Sequence, residues 1–337
     1  MSIDDGTPIM TLFDKSTTPH TEGNPIASPR GPIALDLCSV VRLGRMGEAF
    51  VGNLLADGLE VKVFDRDQER GRAMGARGAV PVDDLAGLGS CPVVVTSLPN
   101  DDALTQVTLG DGGLVDTLAA GAIHISMSSV SPDLCRRLAR ARAAAGQEFV
   151  AAPVFGNPDL ASARGLFIVA SGSAPAIARI GNLLDRLGQR TFLLDDDPGA
   201  APLMKLGGNV LTALSLQSMG EVLALLRKSG IDGRAGFKVL TNSLFDGKVH
   251  KAYGGKIVEQ RYRPPGMTTP LAVKDLRLAL AEAEKSLVPM TAASLVHDRL
   301  LAVMARGWSD LDWSALGLLA AAEAGLEDGS LHEPRAS

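Results

Sequence analysis

Cysteine is scarce in this chain of 337 residues: Cys38, Cys91 and Cys135 are its only three. They lie far apart, without metal-type spacing, and an odd number does not suit a disulfide framework, so a reducing cytoplasm is the expected compartment. No uninterrupted run of about 18 apolar residues occurs, so no membrane span is expected. Positive charge is not in excess either. Lys and Arg number 33 against 38 Asp and Glu, giving a net charge of -5 and a pI near 5.6. The basic residues are scattered, which excludes the basic face that nucleic acid or anionic lipid would require. The expected partner is a small molecule.

What is present is ample apolar material, 46% of residues against 21% charged, enough for about two domains with full cores. Residues 1–32, rich in Ser, Thr, Pro, Asp and Gly, lack the apolar segment of a secretory signal and read as a disordered leader. A mis-assigned start is the alternative. From 33 to 195 short apolar runs alternate with helical stretches, the pattern of a doubly wound, mostly parallel sheet. The predicted strands are 35–41, 61–65, 93–98, 123–126, 149–152, 167–170 and 191–194. Asp195-Asp196-Asp197-Pro198 then signals a helix start, and a long helix running to about Ser229 is expected to link the first domain to an all-α second domain, residues 196–327. Residues 328–337 read as a frayed tail.

The first chemical constellation is a strand, the turn Arg42-Leu43-Gly44-Arg45-Met46-Gly47, a helix with Phe50, Val51, Leu54 and Leu55 on its apolar face, and a second strand ending at Asp65. In this order a glycine lets the backbone approach a pyrophosphate, the helix N-terminus offers free N–H groups, and the acid meets the adenosine ribose. That is the fingerprint of a Rossmann domain holding a nicotinamide dinucleotide. Arg42 departs from it, standing where the first glycine makes the tight turn. With that departure, the alternative is that the glycines serve a βαβ turn that binds nothing.

Asp65 would accept both ribose hydroxyls and repel a 2′-phosphate, whereas Arg66 beside it could pair with that phosphate or be a solvated surface charge. The cofactor is therefore NADP or NAD, with the choice open.

On the long helix, Lys205, Gly208, Asn209 and Thr212 share one face. Mid-helix glycines at 207 and 208 cost on the order of 1 kcal/mol each relative to Ala, which suggests close approach of something flat. With a nicotinamide and a carbonyl there, Lys205 could hand a proton to the carbonyl oxygen, its pKa lowered by desolvation. A snorkelling lysine beside glycines that serve helix packing fits the spacing as well. Two loops, 126–132 and 153–158, follow predicted strands and could hold a substrate carboxylate through hydroxyls and backbone N–H groups, Gly156 and Asn157 among them. Taken alone, each reads as a capping loop before it reads as a site. The histidines have no partner at metal or triad spacing, and no metal site is expected.

Taken together, these blocks resemble the β-hydroxyacid dehydrogenase family, relatives of 3-hydroxyisobutyrate dehydrogenase and of glyoxylate and succinic semialdehyde reductases. The resemblance runs from about Ile33 to Gly325. It rests on Leu43–Gly47 with Asn53-Leu54-Leu55, on Ser128-Ser129-Val130-Ser131-Pro132, on Lys205 with Asn209, and on Lys274-Asp275-Leu276. It implies a Rossmann domain joined by a long helix to an all-α domain, a cleft site between them, and homodimers or homotetramers packed through the helical part. It further implies Lys205 as the catalytic lysine, Asn209 as its substrate-orienting partner and Ser128 as a substrate-binding hydroxyl. Leu98-Pro99, Ser129 and Lys274 are implied as cofactor contacts. Ser126 stands where the family usually has Asp, and Phe155-Gly156-Asn157 where it has Ser-Gly-Gly. Phe155 removes a hydroxyl and adds apolar bulk, so the substrate need not be a small hydroxyacid. Imine reductases are similar overall, with more apolar pockets, but typically replace the lysine that this chain keeps. The residues admit a carbonyl–alcohol oxidoreductase, a C=N reductase, or a module that has lost dinucleotide affinity through Arg42.

Overall fold

Val40, Val41 and their neighbours in β1 (Leu37–Val41) are buried on both faces of the strand, as are all residues of β4 (Val93–Thr96) and β5 (Ile123–Ser126). Such runs belong in a parallel sheet covered by helices on both sides. The computed structural model describes residues 36–326; the expected leader and tail lie outside them. After β1 the chain continues through α1 (Arg45–Ala56), β2 (Glu60–Phe64), α2 (Gln68–Gly75) and a short β3 (Val80–Pro81) before β4. Between β4 and β5 lie α3 (Asp101–Leu109) and α4 (Leu114–Thr117). Beyond β5 come α5 (Pro132–Ala144), β6 (Glu148–Ala151), β7 (Val154–Phe155), α6 (Pro158–Ser162), β8 (Phe167–Gly172), α7 (Ala174–Leu187) and β9 (Arg190–Leu193).

The strand order is β3-β2-β1-β4-β5-β6-β8-β7, with β9 on β8. Pairing is parallel from β3 through β6. The order reverses between β1 and β4, so their carboxyl ends open a crevice, the place where a doubly wound sheet receives its ligand. β8 runs antiparallel to both β6 and β7 and parallel to β9. β7 lies inside what the sequence reads as a loop, because two residues carry no periodicity.

The helical half is α8 (Ala200–Lys228), α9 (Gly233–Thr241), α10 (Lys248–Val258), α11 (Thr269–Lys285), α12 (Thr291–Ala305) and α13 (Leu316–Glu323). α8 begins later than the Asp195–Pro198 signal suggests. Asp197 instead binds Arg136 across the chain at 2.8 Å and takes the Gly199 N–H at 3.0 Å, closing a turn ahead of the helix. By length and composition α8 could cross a membrane, a point the absence of an unbroken apolar run does not remove; half of its most apolar window is buried within the fold. Leu206, Val210, Ala213 and Leu216 on α8 join Leu276, Leu300 and Trp313 in one core, which accounts for the helix as a packing element.

Candidate active site

The turn after β1 is built by close contacts. Arg42 adopts φ 73°, the left-handed region where a glycine is at ease and a side chain costs about 1–2 kcal/mol. Its N–H donates to the Phe64 carbonyl at 2.8 Å, which holds that conformation. Gly47 is obligatory for a different reason: a Cβ there would lie 2.0 Å from the Arg42 carbonyl oxygen. α1 therefore starts hard against the turn. Its N-cap is Gly44, which has no side chain to occupy the first amides, so the free N–H groups and the positive end of the helix face the crevice. Leu43 is fully buried and the partly buried Met46 packs on the same core, so both side chains anchor the turn. Arg45 points elsewhere, donating to the Pro265 carbonyl at 2.7 Å near Asp159.

Asp65 closes the second side. Its two oxygens accept from Leu43 N at 2.6 Å and Asp67 N at 2.9 Å, so the carboxylate braces the turn it was expected to serve. Arg42, Gly44, Asp65, Arg66, Leu98 and Pro99 line one crevice of about 390 Å³, a volume within the usual range for small-molecule sites. Arg70, which no sequence motif marks, lines it too and donates to the Leu43 carbonyl at 3.0 Å. A dinucleotide fits these residues: uncapped amides for phosphate, an acid and guanidinium groups for the adenosine end. A larger cleft of about 620 Å³ between α7 and β9 shares no residue with it.

The second constellation assembles around Lys205. Its Nζ donates to Asn209 Oδ1 at 2.9 Å, one helical turn on. Asn209 Nδ2 donates in turn to Asp275 Oδ2 at 2.5 Å, and Lys274 Nζ lies 3.0 Å from Asp275 Oδ1. Lys274 also donates to the carbonyl oxygens of Pro99, at 2.9 Å, and of Ser129. One chain of contacts thus runs from Lys205 to the loops after β4 and β5, reaching the crevice wall at Pro99. Burial pushes the Lys205 ammonium down to about 8; Asp275 opposes this and Lys274 adds to it.

Asp275 is almost wholly buried, and no sequence pattern assigns it a role. It sits within the apolar stripe Ala272, Leu276, Ala279 and Ala283 of α11, and an acid on such a face was the available signal. The flat group at the α8 glycines is a protein side chain: a Cβ on Gly208 would lie 2.3 Å from Cε1 of Phe155, while one on Gly207 meets nothing within 4 Å. The Lys205 Nζ stands 4.6 Å from the centre of that ring. Ser128 is buried, its hydroxyl oxygen accepting from Leu98 N at 2.8 Å. Asn157 caps α6 through Leu160 N at 2.9 Å, and Gly156 takes φ 143° ahead of it.

The comparisons match this architecture half by half. The family model described as the NAD binding domain of 6-phosphogluconate dehydrogenase matches residues 38–194, and that described as NAD-binding of NADP-dependent 3-hydroxyisobutyrate dehydrogenase matches 199–319. The uncharacterized oxidoreductase YfjR of Bacillus subtilis is 34% identical, over 82% of this chain and 97% of its own. The 3-hydroxyisobutyrate dehydrogenase of Pseudomonas aeruginosa is 30% identical, over 72% and 83%. Among solved structures, the 3-hydroxyisobutyrate dehydrogenase of Salmonella typhimurium superposes with a TM-score of 0.76 at 23% identity, covering 84% of this chain and 99% of that one. A reductive aminase from Aspergillus terreus reaches 0.56 at 21%, with 84% and 98% covered.

Proposed function

The chain belongs to the β-hydroxyacid dehydrogenase family, that of 3-hydroxyisobutyrate dehydrogenase, and is an NAD(P)-dependent oxidoreductase; from this premise we propose that it interconverts a carbonyl compound and its alcohol, with Lys205 as the acid/base. The observation that carries the reading is the contact chain Lys205–Asn209–Asp275–Lys274, which ends on the carbonyls of Pro99 and Ser129. Bound reduced nicotinamide supplies a hydride for the carbonyl carbon. Lys205 Nζ gives the proton that the carbonyl oxygen needs, and a group with a pKa near 8 is matched to that task at neutral pH.

Asn209 has both ends of its amide engaged, so in this reading it positions the lysine, and Asp275 positions Asn209. The amides from Gly44 to Gly47 hold the diphosphate, on a turn set by Leu43, whose own N–H is taken by Asp65, with Asp65 and Arg66 at the adenosine end and Leu98-Pro99, Ser129 and Lys274 along the nucleotide. Ser128 keeps its hydroxyl proton free for substrate, and Gly156 and Asn157 shape the facing loop. The nucleotide side is residues 33–195 and the lysine side 196–327. Semialdehydes and 2-oxoacids, the class the family resemblance implies, are the first carbonyl compounds to assay, and association through the helical half into dimers or tetramers goes with the reading.

Lys205→Ala should lower kcat at least about 100-fold while the nucleotide still binds; unchanged turnover would overturn the assignment. A second reading, reduction of C=N bonds, is favoured by the Phe155 ring beside Lys205. Cyclic imines assayed beside glyoxylate and succinic semialdehyde separate the two.

A further inference from the structure

We infer that Phe155 is the substrate-facing wall of the Lys205 site, and that the substrate group meeting it is uncharged and apolar rather than a carboxylate; this rests on the carbonyl–alcohol reading above. The ring is fixed from behind. It lies against the α8 backbone at Gly208, where no other residue would admit it, and it packs, as Leu98 does, on the buried cluster that includes Val130, Leu134 and Ala201. Its face is presented to the ammonium of Lys205 at 4.6 Å. That face carries the negative lobe of the aromatic quadrupole, which attracts a cation and repels an anion.

A carboxylate docked there would meet the repelling face and would have to draw on the nearby cations. Lys274 is already held by Asp275 and two carbonyl oxygens. The cation at the ring face is the proton donor itself, and an ion pair with substrate would raise its pKa away from the value that burial gives it. An alkyl or aryl substituent meets neither obstacle. It covers the ring, excludes water and keeps Lys205 poised to give its proton.

The test measures kcat/KM for hexanal and for succinic semialdehyde with saturating NADPH or NADH, in the wild type, Phe155→Ser, Phe155→Leu and Gly208→Ala. The wild type should favour hexanal by at least about tenfold, about what one well-placed apolar group contributes to discrimination. Phe155→Ser should shrink that ratio at least about tenfold and move the pH limb that reports Lys205 upward as water enters. Phe155→Leu, which keeps the apolar wall, should hold the ratio within about threefold. Gly208→Ala should displace the ring and shift the ratio in the same direction as Phe155→Ser. A wild type that prefers succinic semialdehyde, or a Phe155→Ser that slows both aldehydes equally with the pH limb unmoved, would overturn the inference and leave the carbonyl reading standing. Reduction of no carbonyl compound by the wild type would overturn both.

Discussion

Arg42 donates from Nη1 to the carbonyl oxygen of Ser97 at 3.1 Å, tying the turn after β1 to the loop after β4 while its own backbone stands at φ 73°. The guanidinium lies 3.4–3.6 Å from where a Cβ on Gly44 would be, so it borders the surface that a diphosphate must approach. A charge-assisted contact is worth about 1.5–3 kcal/mol. Arg42→Gly should therefore weaken both NADH and NADPH about tenfold, as followed by nucleotide fluorescence. Stability should stay within about 1 kcal/mol, because relief of the left-handed side chain offsets the greater freedom of the unfolded chain. Tighter binding in the variant would mean that the guanidinium obstructs the crevice.

The same turn shows what was legible in the sequence. Gly44 and Gly47 stand out by spacing, and the helix and acid that follow fix their context. What spacing could not reveal is that Asp65 is turned onto Leu43 N and Asp67 N, because that depends on the path of the loop after β2. Lys205 and Asn209 were visible as a shared helix face. Asp275, which links them to α11, requires knowing how two distant helices pack. The two α8 glycines look identical in sequence, yet only the fold separates them, since Phe155 reaches one and nothing reaches the other.

Those glycines give a paired stability prediction. Gly207→Ala adds a methyl into open space and should stabilise the protein by up to about 1 kcal/mol through helix propensity. Gly47→Ala forces a Cβ to within 2.0 Å of a backbone carbonyl and should cost several times that, with α1 driven off the turn. Chemical denaturation of the two variants beside the wild type measures both signs.

The pH dependence of turnover follows from Lys205. With its pKa near 8, reduction, which needs the ammonium, should fall as pH rises through about 8, and alcohol oxidation should rise over the same interval. The stability linkage has its own sign. Between the folded value near 8 and the ordinary 10.5 the unfolded chain binds more protons, so this group adds stability as pH rises across that window. Lys205→Met should remove the titration from a stability profile, and a profile unchanged by the substitution would refute the lowered pKa.

A buried polar network beneath the sheet yields an acid-side prediction. His124 is fully buried, with Nε2 2.9 Å from Thr96 Oγ1 and Nδ1 3.0 Å from Nη2 of Arg142. Arg142, itself fully buried, donates to the Leu114 carbonyl at 2.8 Å and to Gln147 Oε1. A guanidinium donates only, so Nδ1 of His124 is an acceptor and the ring is neutral, with its proton on Nε2 toward Thr96. Burial, with Arg142 beside it, holds the His124 pKa well below 6.5. Below 6.5 the unfolded chain takes up a proton that the folded ring refuses, so stability falls as pH drops under that value. Arg142→Met should cost about 3 kcal/mol or more by leaving His124, Gln147 and a carbonyl without their donor. It should also flatten the acid limb, because a ring freed of the cation protonates more readily in the folded state. Thermal unfolding from pH 5 to 7.5 reads both effects, and a variant with an unchanged acid limb would show that burial alone keeps the ring neutral.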